Sequence, residues 1–491
     1  MATTHRQNPR SNKQQRVSQK NKPQPAIRET PLSSRKAFYI LLALLGGMLL
    51  FVFHDFLLLN KVFLYKDIGS DSINGWYPDM YHIADYLHNL DGFPRWSFYL
   101  GMGQNATGFL FGDPFELLLY FSDPNNIAYL VGITEALKFL CAGLLFYLFL
   151  RELALTPYTA IIGAMCFAFC GFIVLGSCWR IFSAETYQVA FLLFSIEKLL
   201  HKKWCFFPFA IALIGVTVSF NLFIYTIVTG VYVLLRLYNQ YGWNRKIITV
   251  YGQLIGLGIL GVGISAFILI SKAQLMLDSP RVSGEVSYFS QLMNTPLFQP
   301  DGLLDNFTKI GRFFSNDMLG TGNYFAGAEN YLEAPLFYGG LLSLLLFTQF
   351  FPALSKRKKW VFWIVFICAL LPFIFPFFRY AFWLFAGKYY RGLSFLFSLL
   401  LQMFALLALN HICITRKINY KILAGTFVLL LLLLSFPNIL GVQHPYQAGQ
   451  PLFQAGLQSF CLLFLLFYAV LLSLLPVKSA GRYVKPLLIG L

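Results

Sequence analysis

Charge is scarce in this sequence, and acid is scarcer than base: 12% of residues are charged, with 21 Asp and Glu against 38 Lys and Arg. Soluble domains carry roughly 25% charged residues, so the composition excludes an ordinary water-exposed surface around a core of this length. Cysteine is thinly and uninformatively used. Five of the eight (Cys141, Cys166, Cys170, Cys368 and Cys461) sit inside apolar blocks, with no CxxC pair and no His–Cys spacing of a metal site. They read as small buried residues, which argues against a disulfide scaffold or a zinc module. The alternating short strands of a transmembrane barrel are missing. So is a cleavage-site pattern after the first apolar block, which therefore reads as a retained span. No internal repeat of the kind found in many transporters is visible.

What is present is apolar length. Hydrophobic residues make up 57% of the 491, aromatics 18%, and the mean hydropathy is +0.62. The apolar material falls in blocks of about 20 residues, the length that spans a bilayer. Lipid offers the backbone no hydrogen bonds, so such blocks must be helices. The reading is an all-α polytopic membrane protein with spans near 37–59, 127–150, 157–176, 183–200, 206–219, 222–237, 247–271, 335–354, 360–378, 392–412, 422–440 and 453–475. That gives twelve complete helices. The six residues after Lys485 resemble the start of a thirteenth, as if the chain were a piece of a longer protein.

The net charge of +17 is explained by where the bases lie. Residues 1–36 hold nine Lys and Arg against Glu29 alone, a disordered basic tail. Further basic residues recur in alternate short loops: Lys202-Lys203, Arg236 with Arg245-Lys246, Lys356 to Lys359, Arg416-Lys417 with Lys421, and Lys478 onward. By the positive-inside rule these loops and the tail are cytoplasmic. The tail is expected to touch anionic headgroups and not nucleic acid. Residues 37–491 then form one multi-span domain, and the long loops 60–125 and 272–334 lie outside.

The first outer loop reads DIGSDSINGWYPDMY from Asp67, then an amphipathic stretch over Met80–Leu90 expected to lie along the interface, then GFPRWSFYLGMGQN and GDPFELLLY. Gly, Pro, Asn and Asp at this density specify tight turns and hence a folded loop. Asp67 and Asp71 stand just outside the first helix. A carboxylate there suits a general base acting on a hydroxyl beside a lipid-borne donor; alternatively, both merely cap turns or helix N-termini. Six cations, Arg180, Arg281, Arg312, Arg379, Lys388 and Arg391, fall on the same face against the positive-inside trend. Arginine forks bind phosphate bidentately. The competing role for these bases is headgroup contact or ion pairing with Glu185, Glu285 or Glu333.

These runs, in this order, resemble the YfhO family of bacterial membrane proteins. Later segments agree: SCWRIFSAETYQVAFLLFSIEKLLHKK, SPRVSGEVSYFS, GTGNYFAGAENYLEAPLFYGGLLSLLLF and YYRGLSFLFSLL. The likeness covers roughly residues 38–491, with Asp113 where the family more often has Ser in an "SP" turn. The resemblance implies a C-type glycosyltransferase architecture and an inverting transfer of sugar from a polyprenyl-phosphate donor to a cell-wall or lipid-linked acceptor such as teichoic acid. It also implies a plasma-membrane location with the active site extracytoplasmic. In this frame Asp71, seven residues before Pro78 with Trp76 between, is the first candidate base and Asp67 the second. Arg391, Arg281 and Arg180 are the candidate phosphate ligands, with Trp76, Tyr77, His82 and Asn105 as substrate contacts. No metal or other cofactor is expected, because a single phosphate leaving group does not demand one. The rival reading is a transporter or flippase of lipid-linked sugars.

Overall fold

A computed structural model describes residues 33–65, 71–89, 95–99, 101–105, 112–279, 287–446 and 449–476. The first helix, α1 (Ser34–Leu57), starts where the Ser33 side chain accepts a hydrogen bond from the Lys36 amide, an N-cap that satisfies one orphan donor. Its buried residues Ala37, Leu41, Leu45, Leu49 and Phe53 recur every fourth position and form a single stripe. That stripe packs on α4 (Ile127–Glu152) and α5 (Pro157–Ala168). Gly143 makes the approach of α1 and α4 possible, since a Cβ there would lie 2.9 Å from Leu45.

Between α1 and α4 the loop is folded, as its turn residues require. A π-turn over Ser72–Trp76 leads into α2 (Tyr77–His88). A two-residue antiparallel pair follows, β1 (Trp96–Ser97) with β2 (Gln104–Asn105), and then the short α3 (Leu117–Tyr120). The apolar face of the amphipathic stretch is covered by protein. Met80, Ile83 and Ala84 of α2 are buried in contact with α3 and α4.

Next come α6 (Gly171–Gly176), α7 (Ile181–Leu200), α8 (Phe206–Thr217), α9 (Asn221–Tyr241) and the long α10 (Lys246–Leu277). After α11 (Tyr288–Met293) and α12 (Leu303–Phe314), the chain continues through α13 (Leu341–Leu346), α14 (Lys356–Ile374) and α15 (Pro376–Phe382). It closes with α16 (Arg391–Thr415), α17 (Tyr420–Ile439) and α18 (Ala455–Leu474). The sequence's apolar blocks all hold helix, but not all hold a regular span. Among the described residues eight helical segments are long and apolar enough to cross a membrane, nine if the bent pair α14–α15 is one span. At about 1.5 Å per residue, the 12 residues of α8 reach well short of a roughly 30 Å hydrocarbon core. The block at 335–354 is not one helix: α13 gives way to a 3-10 stretch, Phe347–Ala353, containing Pro352.

The 100° bend between α14 and α15 has a local cause. Phe375 precedes Pro376 and takes an extended conformation, φ −120 and ψ 112, because the proline ring disfavours helical geometry in the residue before it.

Two apolar clusters meet on α16. Phe395, Leu399 and Leu406 belong to the cluster built on α1, α4, α5 and α7. Leu393, Phe397, Leu401, Ala405 and Leu409, again four apart, belong to the cluster of α12, α13, α17 and α18. Helix α16 is thus buried on both sides, with its first turn at the same end of the bundle as the first turns of α4 and α7. The basic tail, apart from residues 33–36, and the start of a thirteenth helix fall outside the described residues.

Candidate functional site

At that end lies a cavity of about 370 Å³. One wall is the π-turn and the start of α2, which contribute Asp71, Ser72, Trp76 and Asp79. The turn is tied back to the end of the first span, since the Tyr65 amide donates to Ser72 Oγ at 3.0 Å. A π-turn adds a residue to the helical repeat, and such insertions often re-aim side chains at functional sites. A second part of the lining is the junction of α6 and α7, with Trp179 and Arg180, together with Arg391 at the start of α16. Val131 and Glu135 of α4 also line the cavity. The N-terminal ends of α7 and α16 add partial positive charge.

Both arginines are held. Arg180 pairs with the buried Glu116 and lies over the Trp76 ring, 5.1 Å from its centroid. Glu116 has room only because residue 112 is glycine, whose Cβ would fall 1.2 Å from Glu116 Oε2. Arg391 donates to Glu333 Oε1 at 2.5 Å and stacks over Tyr389 and Trp179. The ion-pairing role that the sequence left open is therefore real for these two, and it does not exhaust Arg391. Arg391 Nε is buried without a hydrogen-bond partner among the described residues, as are the indole nitrogens of Trp76 and Trp179.

A buried charge network adjoins the cavity. Lys138, fully buried on α4, bridges Asp113 Oδ2 at 2.8 Å and Glu135 Oε1 at 2.7 Å. Glu135 Oε2 has no hydrogen-bond partner among the described residues. Nearer the chain surface, burial raises the Asp79 carboxyl above its ordinary pKa against the opposing charges of Arg180 and His82. Burial likewise lowers the His82 imidazole.

Of the residues nominated by sequence, Asp71, Trp76, Arg180 and Arg391 are brought to this one cavity. Tyr77, His82 and Asn105 do not line it. His82 hydrogen-bonds Ser97 at 2.7 Å and packs on Tyr86 and Tyr99, fastening the strand pair to α2. Asn105 sits in that pair opposite Trp96, and Tyr77 packs against the apolar core as the first residue of α2. Asp67, Arg281 and Glu285 lie outside the described residues. Arg379 is engaged elsewhere, with Asp301.

Sequence reasoning missed Asp79, Glu135 and Trp179. For Glu135 a signal existed: it and Lys138 are ionisable residues three apart inside an apolar block, and such residues point to function by default. No group of three or more His, Cys, Asp or Glu able to hold a metal occurs among the described residues.

A family model described as "Bacterial membrane protein YfhO" matches residues 80–490. No curated protein and no solved structure matches the chain.

Proposed function

Because the chain belongs to the YfhO family of bacterial membrane proteins, we propose that it is an inverting membrane glycosyltransferase that takes a sugar from a polyprenyl-phosphate donor. The acceptor is a cell-wall or lipid-linked polymer such as teichoic acid. One observation carries the reading: carboxylates of the first long loop and two arginines from distant helices line the same cavity. General-base catalysis and stabilisation of a phosphate leaving group need those two groups face to face. Asp71 takes the proton of the acceptor hydroxyl as its oxygen attacks the anomeric carbon. The bond from that carbon to the phosphate oxygen breaks, and the electron pair leaves with polyprenyl phosphate, beside Arg180 and Arg391.

The reading includes orientation. The cavity faces outward from the bacterial plasma membrane, the N-terminus is cytoplasmic, and all twelve apolar segments are embedded. Its support is charge: the ends of α4, α7 and α16 away from the cavity lie beside the basic loops at 201–203 and 416–417. In a variant with its native cysteines replaced by serine, a cysteine at Tyr324 is expected to react with an impermeant thiol reagent on whole cells, and one at Lys356 is not.

Purified protein in lipid discs, given a polyprenyl-phosphate hexose and acceptor lipid from the native membrane, is expected to release free polyprenyl phosphate and extend the acceptor. Movement of the intact glycolipid between leaflets without release would replace this reading by the transporter one. That rival draws on one feature, the ionisable Glu135 and Lys138 within a span.

A further inference from the structure

The cavity contains an acceptor that the phosphate reading does not use. Glu135 is 1% exposed, yet it lines the space. Its Oε1 takes the Lys138 ammonium, which Asp113 holds from the other side. Its Oε2 takes nothing among the described residues. The Ser183 hydroxyl also stands within hydrogen-bond reach of Glu135, but its single hydrogen is shared with the Arg180 carbonyl at 2.8 Å and cannot serve both. A buried carboxylate oxygen left without a donor carries a desolvation cost that a bound donor relieves.

The same cavity offers complementary groups. The indole N–H of Trp76 and that of Trp179 are both buried and unpartnered among the described residues. A phosphate has acceptors for such donors but, ionised as the donor's diester or as the released monoester, no hydrogen for Glu135. A sugar hydroxyl has both: it donates one hydrogen and accepts through its oxygen. An unpaired acetamido methyl or a ring CH₂ satisfies neither.

We propose that Glu135 and the indole N–H groups of Trp76 and Trp179 form a hydroxyl-recognition subsite for the transferred sugar. Glu135 Oε2 accepts from one ring hydroxyl, and an indole donates to the same or the neighbouring oxygen. Glu135 is then a specificity-determining residue, its carboxylate fixed by Lys138 and Asp113. The assignment rests on the glycosyltransferase reading above, and it selects a hexosyl donor with a free hydroxyl at the recognised position.

The test is binding by calorimetry to full-length protein in lipid discs. The probes are short-chain polyprenyl phosphate, its glucosyl ester, and the glucosyl esters lacking one ring hydroxyl at a time. Wild-type protein is expected to bind the glucosyl ester more tightly than the bare lipid. One deoxy isomer should lose roughly 10- to 100-fold, the range of a hydrogen bond to a charged group. Glu135→Gln, whose amide oxygen still faces Lys138, should weaken the full glucosyl ester by a similar factor and leave that one deoxy isomer and the bare lipid unchanged. Trp179→Phe leaves the ion network intact and should select against the same region of the sugar, which keeps the test open if Glu135→Gln does not fold. Losses that add for every deoxy isomer, or equal weakening of the bare lipid, would overturn the subsite. Wild-type protein that binds bare and glucosylated lipid equally overturns the subsite alone. Wild-type protein that binds neither fails the phosphate reading, and the subsite with it.

Discussion

Two buried charge clusters in this protein use the same residue types and do different things. In the first, around the cavity, Arg180 and Arg391 are each anchored by one carboxylate, and Arg391 Nε and Glu135 Oε2 are left unpartnered among the described residues. In the second, Asp301 receives Lys309 at 2.5 Å, Arg379 at 2.9 and 3.3 Å, and the Tyr390 hydroxyl at 3.1 Å. Lys309 also donates to the Phe373 carbonyl, and Arg379 to the carbonyls of Lys388 and Pro372. That cluster is closed: it locks the segment before α12 to the bend between α14 and α15. An arginine on this face is therefore not a ligand site by virtue of its charge. On the proposed reading, unused hydrogen-bonding capacity beside a cavity is what separates binding from structure.

The largest expected effect tests the closed cluster. Asp301→Ala strands two buried cations, and breaking such a pair costs about 3–5 kcal/mol. Thermal unfolding in detergent should show the loss, while the protein that remains folded keeps its transfer rate. A folded, inactive variant would erase the distinction drawn here.

Next is the open cluster. Asp71→Asn keeps shape at an exposed position, so abundance and melting temperature should hold while transfer falls by roughly 100-fold or more, the scale of a positioned base. That is about 2.7 kcal/mol. Asp79, missed in the sequence and lining the same wall, is the control: if Asp79→Asn abolishes transfer and Asp71→Asn does not, the base moves to α2.

A smaller effect sharpens the comparison from the cationic side. Arg391→Lys can keep the ion pair with Glu333 but has no Nε–H and no fork. Loss of one charged hydrogen bond predicts a roughly 10-fold fall in donor affinity or transfer. Lysine equal to arginine would show that the spare nitrogen is idle.

The smallest effect is a difference of sign with pH. Burial raises the Asp79 carboxyl, so the folded state holds a proton that the unfolded state releases. Stability from this residue declines as pH climbs from the ordinary carboxylate range through its raised pKa, and Asp79→Asn should remove that decline. At Asp301 burial also works upward, but hydrogen bonds and charge from Arg379, with Lys309, overcome it and leave the carboxyl below its ordinary pKa. Its contribution is present above that ordinary range and is lost as pH falls through the lowered value. Opposite slopes in the two carboxylate variants, followed by thermal unfolding against pH, are the expected result.

The sequence disclosed the helices well, because apolar length and charge spacing are local properties. How regular each segment is stayed hidden, because hydropathy averages do not register Pro352 and Pro376, which interrupt otherwise apolar blocks at 335–354 and 360–378. Asp71, Trp76, Arg180 and Arg391 were legible as residue types beside the ends of spans. Their convergence was not, since it joins positions more than 300 residues apart through packing on α4 and α16. Tyr77, His82 and Asn105 do not line the cavity: density of polar and aromatic residues marks a folded loop, and the residues that fold it resemble those that would bind. Glu135 was lost in the average hydropathy of its own helix.

The anchoring of Arg180 on Glu116 and Trp76, and of Arg391 on Glu333, Trp179 and Tyr389, has a consequence for how ligands meet the site. A free arginine gives up rotational freedom when it grips a ligand, at about 0.5–1.5 kcal/mol for each such side chain. Here that ordering is completed when the chain folds. On the proposed reading, phosphate recognition at this cavity then carries little configurational entropy penalty from its two cations, and shortening either anchor, Glu116 or Glu333, should appear as a more unfavourable binding entropy before it appears as lost charge.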